Sequence, residues 1–341
     1  VEVYKNLINT IHENLKPIYE YMKVRKDYMG VKELHMYDIY TDLIKEDPKT
    51  FTYEEAKAKV LEALKPLGDT YIKDLKNIFD SSRVDVYPND GKRSGAYQWG
   101  SYYAGPFVST NFDGTEDSVS TIAHELGHAM HSFYSKKNQC HTNANYPIFL
   151  AEIASTVNEV LLSEYNIKNA QNDTEKLLYL TDFLDKFRAT VYRQTMFAEF
   201  EMLIHDMEQK GNALTSETLY QTYYNLNKLY YGDNVISDKL IGYEWSRIPH
   251  FYTPFYVYKY ATGFMAAVSI ATDILNNKPQ SLENYLNFLA SGCSKYPLDT
   301  LKACGVDMTT KEPIEKSIEL FKNRLKMVEE IIKKEEEYGK E

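Results

Sequence analysis

The sequence predicts a mainly α chain with one small β region. Gly (15) and Pro (11) are sparse for 341 residues, so helix breakers are few. Long stretches rich in Glu, Lys, Leu, Ala and Tyr place apolar residues three and four apart, the helical period. A single stretch, residues 83–112, is instead aromatic, β-branched and punctuated by Gly and Pro.

The first helix covers about 1–30, since Val3, Leu7, Ile8, Ile11 and Leu15 form one face. No capping residue precedes it, and the expectation is that Val1 lies inside a helix of something longer. A second helix, about 53–80, opens after Thr52, with Glu55 placed for a capping box. Residues 83–112 give two or three short strands. Asp113 or Thr115 caps the next helix, whose Glu116 and Asp117 suit a positive N-terminus. A polar loop, 136–147, ends at Pro147. Helices follow at about 148–165, 173–210, 215–230, 252–276, 281–291, 297–304 and 311–338. No internal repeat is seen, and the whole of 1–341 reads as one catalytic domain.

The formal net charge is −10 and no Lys/Arg run stands out, which argues against nucleic acid or an anionic membrane as partner. No apolar run approaches the ~18 residues of a membrane span, and no signal-peptide pattern is present. The cysteines are Cys140, Cys293 and Cys304, an odd number without CxxC spacing. A disulfide framework and cysteine ligation of a metal are therefore not expected; a reducing, cytoplasmic setting is.

The chemistry concentrates in "TIAHELGHAMHSF", Thr121 to Phe133. Four helical residues turn through about 400°, so His124 and His128 project within roughly 40° of each other. Both imidazoles reach one ion, and Glu125 can lean over a water held on it. The alternative is a core helix with incidental histidines, which would leave two polar rings on one face in need of partners. A catalytic zinc takes three protein ligands and keeps one position open. Tyr134 stands ten residues after His124, where a metzincin needs its further His, which excludes that class. His131 is nearly two turns from His124, too far to share the ion, and reads as packing or as support for a ligand. The next helix supplies Glu152 and Glu159, seven apart on one face; one can ligate while the other orients a histidine. Asp117, seven before His124, is another candidate orienter. Spacing favours neither glutamate.

"HELGHAMH", followed 28 residues after its first His by the Glu of "AEIAS", resembles the oligoendopeptidase F and thimet oligopeptidase group of zinc peptidases. The segments "LHMYDIYTDL", "DVYPNDGKRSGAYQWG", "FRATVYRQTMFAEFE", "RIPHFYTPFYVYKYATG" and "SGCSKYPLDTLKACGVDM" resemble it too, so the likeness covers nearly the whole chain. The resemblance implies a zincin-like helical catalytic domain with a small sheet beside the HExxH helix. It implies His124, His128 and Glu152 as ligands of one Zn2+ and Glu125 as general base. It also implies that a His and one or more Tyr of "PHFYTPFYVYKY" face the zinc. His250 comes first; Tyr252 and Tyr256, four apart, share a helical face; Tyr258 is the lesser candidate. Family chains are longer at the N-terminus, so 1–341 is expected to be the C-terminal portion of a longer chain. Where relatives tend to read Ser-Gly-Gly, this chain has Ser291, Gly292 and Cys293.

Before the metal helix, "GAYQWG", with Gly95, Ala96 and Tyr97, and "PFVSTNF" are both candidates to bind substrate backbone as an added strand, with Gly95 allowing close approach. The expected function is a zinc endopeptidase acting on short unstructured peptides. A zinc carboxypeptidase would need a cation for the substrate carboxylate; Arg93, Arg193 and Arg247 are available, but nothing marks one out. The Gly-x-Met-Glu-Asn segment of HExxH aminopeptidases is absent. A non-catalytic binding protein would have no need of Glu125.

Overall fold

The structure is a computed structural model that describes residues 1–44 and 49–338. The chain divides into two compact units. The first comprises Val1–Lys45, Ala170–Met265 and Met308–Glu341; the second comprises Glu46–Asn169 and Ala266–Asp307. The mainly α expectation holds, with one three-stranded sheet.

In the first unit the expected opening helix is two helices, α1 (Glu2–His12) and α2 (Lys16–Tyr28). Pro17 sits in the first turn of α2, where its missing N–H costs nothing but would break a continuous helix. In the second unit the expected helix 53–80 is likewise divided. The predicted Thr52–Glu55 capping box opens α3 (Tyr53–Ala63). Pro66 and Gly68, the latter at φ +88°, then end it before α4 (Asp69–Asp80).

The strands are β1 (Val84–Asp85), β2 (Tyr97–Trp99) and β3 (Phe107–Ser109), in the order β1–β3–β2. β3 pairs parallel with β1 and antiparallel with β2, Gln98 opposite Val108. β2 is thus an outer strand with one edge unpaired by any other strand of the described residues. Then come α5 (Glu116–Asn138), capped by Thr115, which accepts from Ser118 N, and α6 (Ile148–Asn169). The intervening loop is shorter than expected, 139–147, because α5 runs on to Asn138.

The expected helix 173–210 is α7 (Asp173–Phe187) and α8 (Arg193–Gln209), joined through a wide π turn at Arg188–Tyr192. α9 (Ser216–Tyr231) follows. The expected helix 252–276 starts late. Short 3-10 turns at Lys239–Arg247 and Pro249–Tyr252 lead into α10 (Tyr258–Leu275). α11 (Ser281–Ala290), α12 (Pro297–Ala303) and α13 (Glu312–Tyr338) complete the chain.

The core of the first unit is aromatic. Phe321 of α13 lies 4.9 Å from Phe187 and 5.9 Å from Tyr21, ring centre to ring centre. Arg25 is fully buried there and is neutralised by Asp185 at 2.7 Å. In the second unit α5 is the central element. It packs against α3, α4, α6, α11, β2 and β3. Ile122, Ala123, Leu126, Ala129 and Met130 give it a completely buried apolar side, each large side chain contributing about 1.5–3 kcal/mol.

A candidate metal centre in the second unit

α5 and α6 form an antiparallel hairpin, visible in contacts that step in opposite directions along the two helices. Asn166 donates to Glu116, Asn158 donates to the Ala123 carbonyl at 2.9 Å, and Glu159 meets His124. Gly127 faces Ser155, and here the helices nearly touch. A Cβ at Gly127 would lie 2.5 Å from Ser155 Cα and 2.7 Å from the Ala154 carbonyl oxygen. The glycine in the motif is therefore a packing requirement, bringing residues 124–128 within reach of Glu152 and Glu159.

The Nε2 atoms of His124 and His128 are 3.2 Å apart, and they lie 3.5 and 3.7 Å from Glu152 Oε2. Ligands held at ~2.1 Å around a tetrahedral ion are about 3.4 Å from one another, so the three donor atoms are spaced as a single zinc-sized ion requires. In a neutral His124 whose Nδ1 donates to Glu159, Nε2 is left as a lone pair. His128 is held through its other ring nitrogen by the backbone of Ala151. In that tautomer the two facing nitrogens are both acceptors, two lone pairs aimed at one point, which is the arrangement a shared metal ion requires. Burial opposes charge on His124, but Glu159 outweighs it and raises the pKa. Burial, with His124 beside it, pushes His128 down to about 4. These residues fit a resident divalent metal.

Glu125 lines the same cleft and is 7% exposed; its Oε2 has no hydrogen-bond partner. Burial pushes its carboxyl up to about 7, the range in which a general base works at neutral pH.

The cleft, about 850 Å³, is lined by Ala96–Tyr102 on one side and by His124, Glu125, His128, Ser132, Lys136 and Glu152 on the other. Ala96 and Tyr97 therefore line the cleft that holds the candidate metal ligands. Gly95 is not among the lining residues. It takes φ +88° in the preceding turn, and Asn111 binds its carbonyl at 2.8 Å. A polar chain fixes β2 against α5: the hydroxyls of Tyr146 and Ser132 are 2.8 Å apart, and Ser132 donates to Gln98 at 3.0 Å.

Of the two candidate orienters, Glu159 reaches His124, whereas Asp117 is exposed in the first turn of α5, two turns away. His131 is buried and stacks on Tyr146 at 3.6 Å; burial pushes its pKa to about 3, so it is a neutral packing ring. Sequence reading missed Ser132, Lys136, Tyr146, Asn158 and Gln98. Ser132 and Lys136 continue the four-residue row of His124 and His128, a signal present in the periodicity. The other three depend on tertiary contacts.

His250 and the candidate tyrosines belong to the first unit. The shared helical face expected for Tyr252 and Tyr256 is not found, because residues 253–257 are not helical. Pro254 has no N–H to give a helix, and Phe255, at φ +56°, donates its N–H to the buried Glu201 at 2.6 Å. His250 instead stacks on Tyr256 and lies 3.4 Å from the Tyr260 hydroxyl. Tyr252 is 87% exposed, and Tyr258 packs against Tyr4. Two of the cations available for a carboxypeptidase, Arg193 and Arg247, are bound to Glu244.

The profile of peptidase family M3 matches residues 1–320. The chain is 46% identical over 333 residues to oligopeptidase PepF of Bacillus subtilis (strain 168), covering 98% of this chain and 50% of that protein. It is 43% identical to group B oligopeptidase PepB of Streptococcus agalactiae serotype III, covering 98% and 55%. The crystal structure of oligoendopeptidase-F from Enterococcus faecium superposes with a TM-score of 0.78 at 39% identity, over 98% of this chain and 53% of that one. The chain thus spans about half the length of the curated relatives it matches. Among the described residues no helix is long and apolar enough to cross a membrane. With both sequence and fold matched along nearly its whole length, the chain belongs to peptidase family M3.

Proposed function

We propose that the chain is the catalytic portion of a zinc-dependent endopeptidase that hydrolyses short, unstructured peptides in the cytoplasm. The observation that carries this is the spacing of the His124, His128 and Glu152 donor atoms beside Glu125, whose Oε2 has no hydrogen-bond partner. The names of the relatives, oligopeptidase and oligoendopeptidase, support the substrate class.

His124, His128 and Glu152 would hold the ion, and Glu159 fixes the tautomer of His124. When bound, zinc would supply Lewis acidity and lower the pKa of a water to ~7. Glu125 would serve as the base that takes up a proton from the attacking water and returns it to the leaving amine. The open edge of β2, at Ala96 and Tyr97, accepts the peptide as an added strand. His250, with Tyr256 or Tyr252, is kept as donor to the oxyanion on the strength of the family resemblance.

Two experiments test these roles. Glu152→Gln should lose most bound zinc in elemental analysis, whereas Glu159→Gln should weaken affinity by about 10–100-fold, the usual cost of removing a partner of a ligand histidine. The reverse order would exchange their assignments. His250→Ala should lower kcat more than it raises KM, with zinc content unchanged, because an oxyanion donor acts mainly in the transition state. Loss of zinc would place His250 among the ligands, and no change in either constant would make its segment packing.

A further inference from the structure

Lys136 is a cation in the cleft without an acidic partner. It follows Ser132 by four residues and His128 by eight, and lines the same cleft as both. Its half-buried ammonium donates to the Gly100 carbonyl at 3.0 Å. The next residue, Lys137, lies 3.9 Å from Asp74; Lys136 has no ion pair among the described residues. Burial lowers its pKa, the direction expected of a cation held without a counter-ion. Two of its N–H groups are left for a ligand.

Glu125 and Glu152 line the metal end of the cleft, and Lys136 lines it further along. At 1.5 Å per helical residue, the backbone of Lys136 is about 12 Å beyond that of His128, and its ammonium is held at Gly100, just past the end of β2. An extended peptide covers that in about three to four residues at ~3.3 Å each. This is too far for a carboxypeptidase clamp, which must grip the residue next to the scissile bond. It suits a more distant subsite.

Direction follows from β2. Ser132 meets Gln98 and Lys136 meets Gly100, so β2 and α5 run the same way along the cleft. A peptide added antiparallel to β2, the slightly more stable pairing, has its N-terminal residues beside Gly100. Resting on the peptidase reading above, we propose that Lys136 binds an acidic side chain three or four residues N-terminal of the scissile bond.

The test uses quenched peptides of one length, acetylated and amidated, with Glu or Gln at those positions. The Glu/Gln ratio of kcat/KM should be about five on the unaltered protein, a typical value for a half-exposed ion pair. It should fall to about one in Lys136→Met and return in Lys136→Arg, which keeps the charge and the reach to Gly100. A ratio indifferent to Lys136→Met overturns the proposal. So does a Lys136 dependence found only when the peptide's C-terminal carboxylate is free, since that would reverse the peptide. The same peptides titrated onto Glu125→Gln give the ratio as Kd without turnover. A Lys136-dependent ratio there, without hydrolysis by the unaltered protein, would keep this site and sink the peptidase reading.

Discussion

Glu125→Gln is expected to fold, to retain zinc, and to lose hydrolysis by roughly 10³-fold, within the range assigned to general-base catalysis. The amide keeps the shape of the side chain and cannot accept the proton of the water. Retention of fold follows from the environment. Glu125 Oε2 lies buried without a hydrogen-bond partner, so no hydrogen bond at that atom is broken. The measurement is a quenched-peptide assay beside elemental analysis, with chelated protein as the zero. Residual turnover above a few per cent would remove Glu125 from the role of base.

Gly127→Ala is expected to destabilise the second unit by about 3 kcal/mol or more, at the upper end for overpacking. The added methyl would meet backbone, at 2.5 Å from Ser155 Cα and 2.8 Å from its N. Backbone within a helix cannot swing aside as a side chain end can, so α6 must move as a body. Glu152 and Glu159 both ride on α6, and zinc retention should fall together with the denaturation midpoint. Unchanged stability with full zinc content would show that the helices are not seated on one another at this point.

Much of this was legible in the sequence. HExxH dictates its own geometry through the 3.6-residue turn, and the Thr52 cap and the strand-like stretch 83–112 were each set by local chemistry. The choice between Asp117 and Glu159 as partner of His124 was not legible. Both stand at helical spacing, and only the antiparallel crossing of α6 on α5 separates them. The segment 252–257 misled for a related reason. Its apolar and aromatic spacing is helical, yet Pro254 and the carboxylate of Glu201, fifty-four residues upstream of Phe255, take the backbone elsewhere. Lys136 escaped notice because a lysine's meaning depends on whether an acid lies beside it, which spacing does not reveal.

The hairpin of α5 and α6 also has a consequence for biosynthesis. The proposed ligands His124, His128 and Glu152 and their support Glu159 fall within residues 124–159, so they leave the ribosome within roughly 2–7 s at ~5–20 residues per second. Contacts this local close early, since little chain must be ordered to make them. The units themselves close later: the second takes in residues 266–307, whose α11 packs on α5, and in the first α13 packs on α1, α2 and α7. The proposed ligands are therefore brought together in the nascent chain before either unit has these helices.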